Sequence, residues 1–258
     1  MAKYGKWIAG TLGWALGGPI GGLLGFTLGS LFDNASSDVM SWDGTGPTIQ
    51  QPKYSTQRER QQHTGGGDFK VSLLILSAAV MKADGKVMRS ELDYVKRFLV
   101  RQFGEADAKN QIKLLKGFLD QKYDLRPICI QIRRFMDHSS RLQLMHYLFG
   151  IADADRDMST PELKMLSRIA GGLGISHKDF ASIKAMFIPT TSDSEYKILE
   201  ITTKATNDEV KKAYRRMAVK YHPDKVSHLG PEHQKAAKEK FQAVSMAYES
   251  IKKSRGMK

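Results

Sequence analysis

The residues best placed to do chemistry in this chain are His222, Pro223 and Asp224. Pro223 cannot continue a helix and pushes His222 out of the helical region, so the tripeptide falls on a turn. A turn stiffened by proline presents the Asp224 carboxylate to a partner arginine at low ordering cost, with His222 orienting the turn. That is chemistry of recognition. A three-residue string carries little weight alone, so its meaning depends on what surrounds it. Elsewhere no glycine-rich phosphate loop continues into Lys-Ser/Thr, and no histidine-rich cluster has ligand spacing. Cys129 stands alone between Ile128 and Ile130, the pattern of a small buried hydrophobe. Nothing here supports an enzyme, and no cofactor or metal is expected.

The elements that must position the tripeptide are legible on both sides of it. Thr206-Asn207-Asp208-Glu209 is a capping box, in which a hydroxyl and a carboxylate satisfy orphan amides reciprocally. Apolar residues then recur at Val210, Ala213, Tyr214, Met217, Ala218 and Tyr221, one face of a helix. Lys211, Lys212, Arg215, Arg216 and Lys220 occupy the rest of its surface, five cations expected on one solvated face that steers toward an acidic partner. A second apolar stripe follows at Phe241, Val244, Tyr248 and Ile251, with Ala247 allowing close approach. Upstream, Ser192-Asp193-Ser194-Glu195 is another capping box, opening a short helix with Tyr196, Ile198 and Leu199.

In this order the segments resemble the J domain of DnaJ-type co-chaperones. The match runs through Tyr196 to Leu199, Glu209 to Ala218, Lys220 to Lys225, Lys240-Phe241 and Ala247 to Glu249. The resemblance implies an antiparallel helical hairpin with the tripeptide at its exposed tip. It also implies docking on an ATP-bound DnaK-type chaperone, whose hydrolysis the domain accelerates. The chaperone-binding residues so implied are His222, Pro223 and Asp224 with Lys211, Lys212, Arg215, Arg216 and Lys220. J domains usually continue into a short fourth helix, whereas this sequence stops at Met257-Lys258, as in DjlA-type proteins.

At the other end, Trp7 to Phe32 contains no charged residue. As one helix it would extend about 39 Å, longer than the roughly 30 Å hydrocarbon core of a bilayer. It reads as a membrane segment. Gly13, Gly17, Gly21, Gly25 and Gly29 fall on every fourth residue, a stripe of small residues that suits a homodimer interface in lipid. A re-entrant hairpin broken at Gly17-Gly18-Pro19 stays open beside the single span. A cleaved signal peptide does not fit the length, and a buried soluble helix is disfavoured because nothing nearby reads as apolar enough to surround it. Lys3 and Lys6 against Asp33, Asp38 and Asp43 favour an exported body, but a J domain needs the compartment that holds ATP. The expected location is therefore the cell inner membrane, with the bulk of the chain in the cytoplasm.

Between the two signals, residues 33–68 read as a polar linker ended by Gly65-Gly66-Gly67, and 69–190 as a compact helical domain. That domain contains an internal repeat. Ala83-Asp84-Gly85-Lys86-Val87 with Glu91-Leu92 parallels Ala154-Asp155-Arg156-Asp157-Met158 with Glu162-Leu163. Ser159-Thr160-Pro161-Glu162 is a third capping box. This domain resembles the TerB family of tellurite-resistance proteins. The order of membrane segment (1–32), linker, TerB-like domain and J domain (191–258) matches DjlA-type co-chaperones. Asp84, Asp155, Glu91 and Glu162 are read as caps and dipole partners, with an acidic metal site as the rival that a metal-binding or metal-stress membrane protein would need. Asp153, Asp155 and Asp157 alternate like an EF-hand, but Met158 and Lys164 stand where glycine and glutamate are required.

The net charge of +13 suits anionic membrane lipid and an acidic chaperone surface. Aromatic residues do not interleave with the basic ones, so no nucleic-acid partner is expected. The fold expected is all-α: a glycine-rich membrane segment, a TerB-like helical domain and a J-domain hairpin.

Overall fold

The computed structural model describes residues 11, 18–28, 30, 65–188 and 193–257, and every element among them is helical. The first long helix, α1 (Gly65–Met81), starts earlier than the sequence suggests. The three glycines read as the end of the linker form its first turn. Glycine costs about 1 kcal/mol per helical position relative to alanine, and burial of the run that follows outweighs it. Leu73, Leu74, Ile75, Leu76, Val80 and Met81 are all at most 1% exposed, and each such side chain contributes about 1.5–3 kcal/mol.

After α1 come α2 (Arg89–Phe103), α3 (Glu105–Leu119), α4 (Leu125–Phe135), α5 (His138–Ala152), α6 (Thr160–Gly172) and α7 (His177–Phe187); α3 to α6 pack on α1, α2 packs on α3 and α5, and α7 on α5. Helix α5 is apolar nearly all round and buried on every side, as that pattern requires. Asp124, Asp137, Ser159 and Ser176 cap α4 to α7, each accepting from a backbone N–H two or three residues on. Cys129 lies in this core, as expected, and burial pushes its thiol pKa up to about 11. Gly172 is required beside it, because an added Cβ would sit 2.7 Å from the Cys129 Cβ.

The internal repeat is physical. Asp84 accepts from Lys86 N at 2.9 Å and Asp155 from Asp157 N at 3.0 Å. The next residues, Gly85 and Arg156, both take left-handed backbone, with φ of 85° and 65°. Glu91 and Glu162 then each accept from the N-cap N–H, from Met88 and Ser159 respectively, at 2.7 Å. Burial raises the Glu91 pKa to about 7, with Glu162, Asp84 and Asp155 adding to the shift. Among the described residues no group of three or more His, Cys, Asp or Glu is arranged to hold a metal ion. The four acids act as turn and cap acceptors.

The J-domain region comprises α8 (Ser194–Ile198), α9 (Asn207–Lys220), a 3-10 segment (Pro223–Leu229) and α10 (Pro231–Ser254). Ser192, the expected cap of α8, lies outside the described residues. The Arg255 guanidinium closes the hairpin, donating to the Tyr196 hydroxyl at 2.9 Å, Thr203 O at 2.7 Å and Ala205 O at 2.5 Å.

The N-terminal stretch 18–28 is helical and rests on the α3–α4 corner. Ile20 is 2% exposed and its N–H donates to Gln131 Oε1 at 3.0 Å. Gln121 Nε2 donates to Thr27 Oγ1 at 3.0 Å, and Gly117 leaves room for the Thr27 methyl. This corrects the expectation that nothing nearby could cover the segment, since Ile20 joins the core cluster and Leu23 and Leu24 pack against it. Gly18 opens the stretch with φ 62°, a left-handed residue directly before Pro19. Among the described residues no helix is long and apolar enough to cross a membrane. Of the glycine stripe, Gly21 and Gly25 are half-buried in this stretch, while Gly13, Gly17 and Gly29 lie outside the described residues.

Candidate functional site

The tip is set by the helices that flank it. Thr206 and Glu209 form the reciprocal box at the start of α9, with Thr206 N donating to Glu209 Oε2 at 2.7 Å and Glu209 N to Thr206 Oγ1 at 3.3 Å. The bonds from Thr206 hold the Glu209 pKa below the usual carboxylate value. Val210, Ala213 and Met217 make the buried stripe of α9. Val244, Ala247 and Ile251 face inward from α10. Tyr214 stacks on Tyr248 at 4.4 Å, and His222 meets Phe241 edge-on at 6.3 Å. As residue numbers rise on one helix they fall on the other, so the hairpin is antiparallel.

His222 caps the 3-10 segment, its Nδ1 accepting from Asp224 N at 3.3 Å. Its ring also lies 3.5 Å from Asp224 Oδ2 and, at 51% side-chain exposure, is partly sheltered. The Asp224 side chain is 90% exposed. Gln234 of α10 donates to Ser227 O at 2.9 Å and ties the loop down beyond the tip. The result is an exposed carboxylate on a braced turn.

The five cations of α9 do not share one fate. Lys212 and Arg215 are exposed and Lys211 is half-buried. Arg216 donates to Leu199 O at 3.2 Å and faces Glu200 at 3.9 Å. Lys220 is turned inward. Its ammonium bonds Glu200 at 2.5 Å and pairs with Asp179 of α7, leaving 20% of the side chain exposed. Burial works against the Asp179 carboxylate, but hydrogen bonds from Lys220 and Ser176 outweigh it and lower its pKa. The expectation of five cations on one solvated face is therefore corrected at Lys220.

Behind the tip, the J-domain region docks on the helical domain. Lys240 is fully buried, donating to Leu142 O at 2.9 Å and Gln143 Oε1 at 3.1 Å on α5, with its ammonium 5.4 Å from the Tyr221 ring centre. Burial drives its pKa well below that of an ordinary lysine. His233, 1% exposed, packs edge-on against Phe98 at 5.3 Å. The Gln102 amide brackets the start of α10, donating to Leu229 O and accepting from Glu232 N at 3.0 Å. Gly230, with φ 96°, lies between those contacts, where an added Cβ would strike Gln102. Sequence reasoning missed Asp179, Gln102 and His233. It quoted Lys240 only as part of a motif, although its register among Ala237, Val244 and Ala247 is a signal of burial.

A helical hairpin with a His-Pro-Asp turn at its solvent tip defines a J-domain protein, and the DnaJ domain model matches residues 194–256. Ahead of it, the model for tellurite resistance protein TerB matches residues 70–185, and that for the co-chaperone DjlA transmembrane domain matches residues 1–45. With these three domains in order, the chain belongs to the DjlA-type co-chaperones. Relatives named Co-chaperone protein DjlA align along its length. That of Photobacterium profundum is 27% identical over 285 aligned residues, covering 99% of this chain and 100% of the relative. The Coxiella burnetii protein is 28% identical, covering 98% of each. The Salmonella paratyphi A protein is 27% identical, covering 100% of each. No solved structure matches the chain significantly.

Proposed function

We propose that this protein recruits a DnaK-type chaperone to the cytoplasmic face of the inner membrane and stimulates its ATP hydrolysis through the His222-Pro223-Asp224 turn. The observation that carries this reading is the 90% exposed Asp224 carboxylate on a turn capped by His222. A carboxylate so held forms a charge-assisted bond to a partner arginine without first losing conformational freedom. Lys212 and Arg215, exposed on the adjoining helix, supply the steering charge, with Lys211 and Arg216 beside them. Lys220 serves the fold as well as any partner. The test is chaperone ATPase stimulation by the full chain in nanodiscs. His222→Gln and Asp224→Asn should each abolish stimulation with no loss of helical signal or thermal stability. Stimulation at the parent level by either variant sinks the reading.

The N-terminal segment anchors the chain in this proposal. Gly18 takes left-handed backbone directly before Pro19, near the middle of the uncharged run from Trp7 to Phe32. That supports a re-entrant arrangement with both ends in the cytoplasm, which reconciles Lys3 and Lys6 with a J domain on the same side. In the alternative arrangement, a single continuous span, the glycine stripe is proposed as a homodimer seam in the lipid. Gly17→Leu, Gly21→Leu and Gly25→Leu together should leave the chain in the membrane fraction but abolish crosslinked dimer. Dimer unchanged by the triple substitution removes that role.

A further inference from the structure

We propose that the groove between α2 and α3 seats anionic phospholipid at the membrane surface, a second attachment besides the N-terminal segment. The groove has a volume of about 540 Å³. Its floor is apolar, with half-buried Leu92, Val100 and Ile112, and its rim carries Lys96, Lys109, Lys113 and Lys116. All four lysines are exposed, and none has an ion-pair partner among the described residues. Lys70 and Lys82 of this domain, by contrast, are committed, to Asp107 at 3.3 Å and to Gln121 O at 2.7 Å. The two acids in the groove do not cancel the rim. Asp93 has Arg89 at 3.8 Å, and Glu105 sits in the first turn of α3, where the helix dipole offsets it.

Position in the fold selects the occupant. Lys109, Lys113 and Gly117 are spaced at i, i+4 and i+8, so they form one stripe along α3. Gly117 is the notch that receives Thr27 of the N-terminal stretch. The lysine row therefore runs along α3 into the contact with the segment that meets the membrane. On α2, Leu92, Lys96 and Val100 lie on the face opposite Phe98 and Gln102, which meet the J domain. Lipid in the groove leaves the tripeptide free. Ammonium groups on a shallow apolar floor suit a headgroup phosphate with its first methylenes below it. Each lysine brought to an anionic surface strengthens attachment by about fivefold.

This inference rests on the reading of residues 1–45 as an anchor, and the experiment separates the two. Asn110, exposed between Lys109 and Lys113, is changed to cysteine and labelled with a fluorophore; Cys129 is buried and does not compete. The full chain is placed in nanodiscs of phosphatidylcholine with or without phosphatidylglycerol, each containing headgroup-nitroxide lipid. Quenching is expected only with phosphatidylglycerol. It should fall to the phosphatidylcholine level in high salt and in a Lys109→Glu, Lys113→Glu variant, which still resists alkaline carbonate extraction from membranes. Equal quenching in both lipids, none in either, or an unaffected reversal variant overturns the groove. So does a probe response to an acidic helical peptide that lipid does not produce. Carbonate release of the parent chain overturns the anchor instead, and sedimentation with phosphatidylglycerol vesicles then decides the groove.

Discussion

The outward and inward surfaces of the J domain are built from the same residue types and use them in opposite ways. Outward, His222 and Asp224 with Lys212 and Arg215 keep their polar atoms in water, where their interactions are individually weak and exchangeable. Inward, His233 and Lys240 are 1% and 0% exposed. There a lysine meets two neutral acceptors and no carboxylate, and burial pushes both groups toward their uncharged forms. Charge kept in solvent gives rate and selectivity; polar groups taken out of solvent fix one orientation. The helical domain thus acts as the base from which the tripeptide projects.

If that contrast holds, the two surfaces should fail differently. The largest effect on stability is expected inside. Lys240→Ala leaves a cavity and strands Leu142 O and Gln143 Oε1, costing about 2–4 kcal/mol in urea denaturation. Lys240→Met, which keeps the volume, should recover most of that loss. An alanine variant as stable as the parent would break the comparison. The tip variants at His222 and Asp224 provide the reverse signature, with stimulation lost and stability kept.

Acid should sharpen the same distinction. Burial, then the charges of Lys240 and His228, lower the His233 pKa to about 4. Below about pH 6.5 the unfolded chain binds a proton that the folded chain refuses. Stability contributed by neutral His233 is therefore present above 6.5 and lost as pH falls toward 4, by about 2–3 kcal/mol. His233→Leu should flatten the denaturation profile in that window, and a profile identical to the parent's would refute the assignment. The smallest effect is outside: Lys211→Glu, Lys212→Glu and Arg215→Glu together should slow association with the chaperone by about tenfold or more. Parent binding should weaken as salt rises, whereas binding independent of salt would exclude steering by α9.

Local chemistry was readable from the sequence because its partners are close in sequence. The boxes Thr206/Glu209 and Ser159/Glu162 form as expected, and the repeated Ala-Asp turns do so down to matched left-handed residues. Cys129 packs as a hydrophobe. The inward surface was not readable in the same way. Lys220 meets Asp179 across 41 positions, and Lys240 meets Leu142 across 98. No periodicity encodes which distant helix supplies such an acceptor. At Gly65 composition misled, since three glycines look like a tether until the apolar run after them is seen to be buried.

The Gln102 bracket has a consequence for the order in which the chain matures. Gln102 is translated well before Leu229, Gly230 and Glu232, whose backbone it holds. Synthesis proceeds at about 5–20 residues per second and earlier domains tend to fold first. Helix α2 can therefore be in place, with its amide presented, before the left-handed turn at Gly230 leaves the ribosome. The hairpin then meets a finished template, and the tripeptide, made just before, is aimed when Leu229 and Glu232 reach the waiting amide.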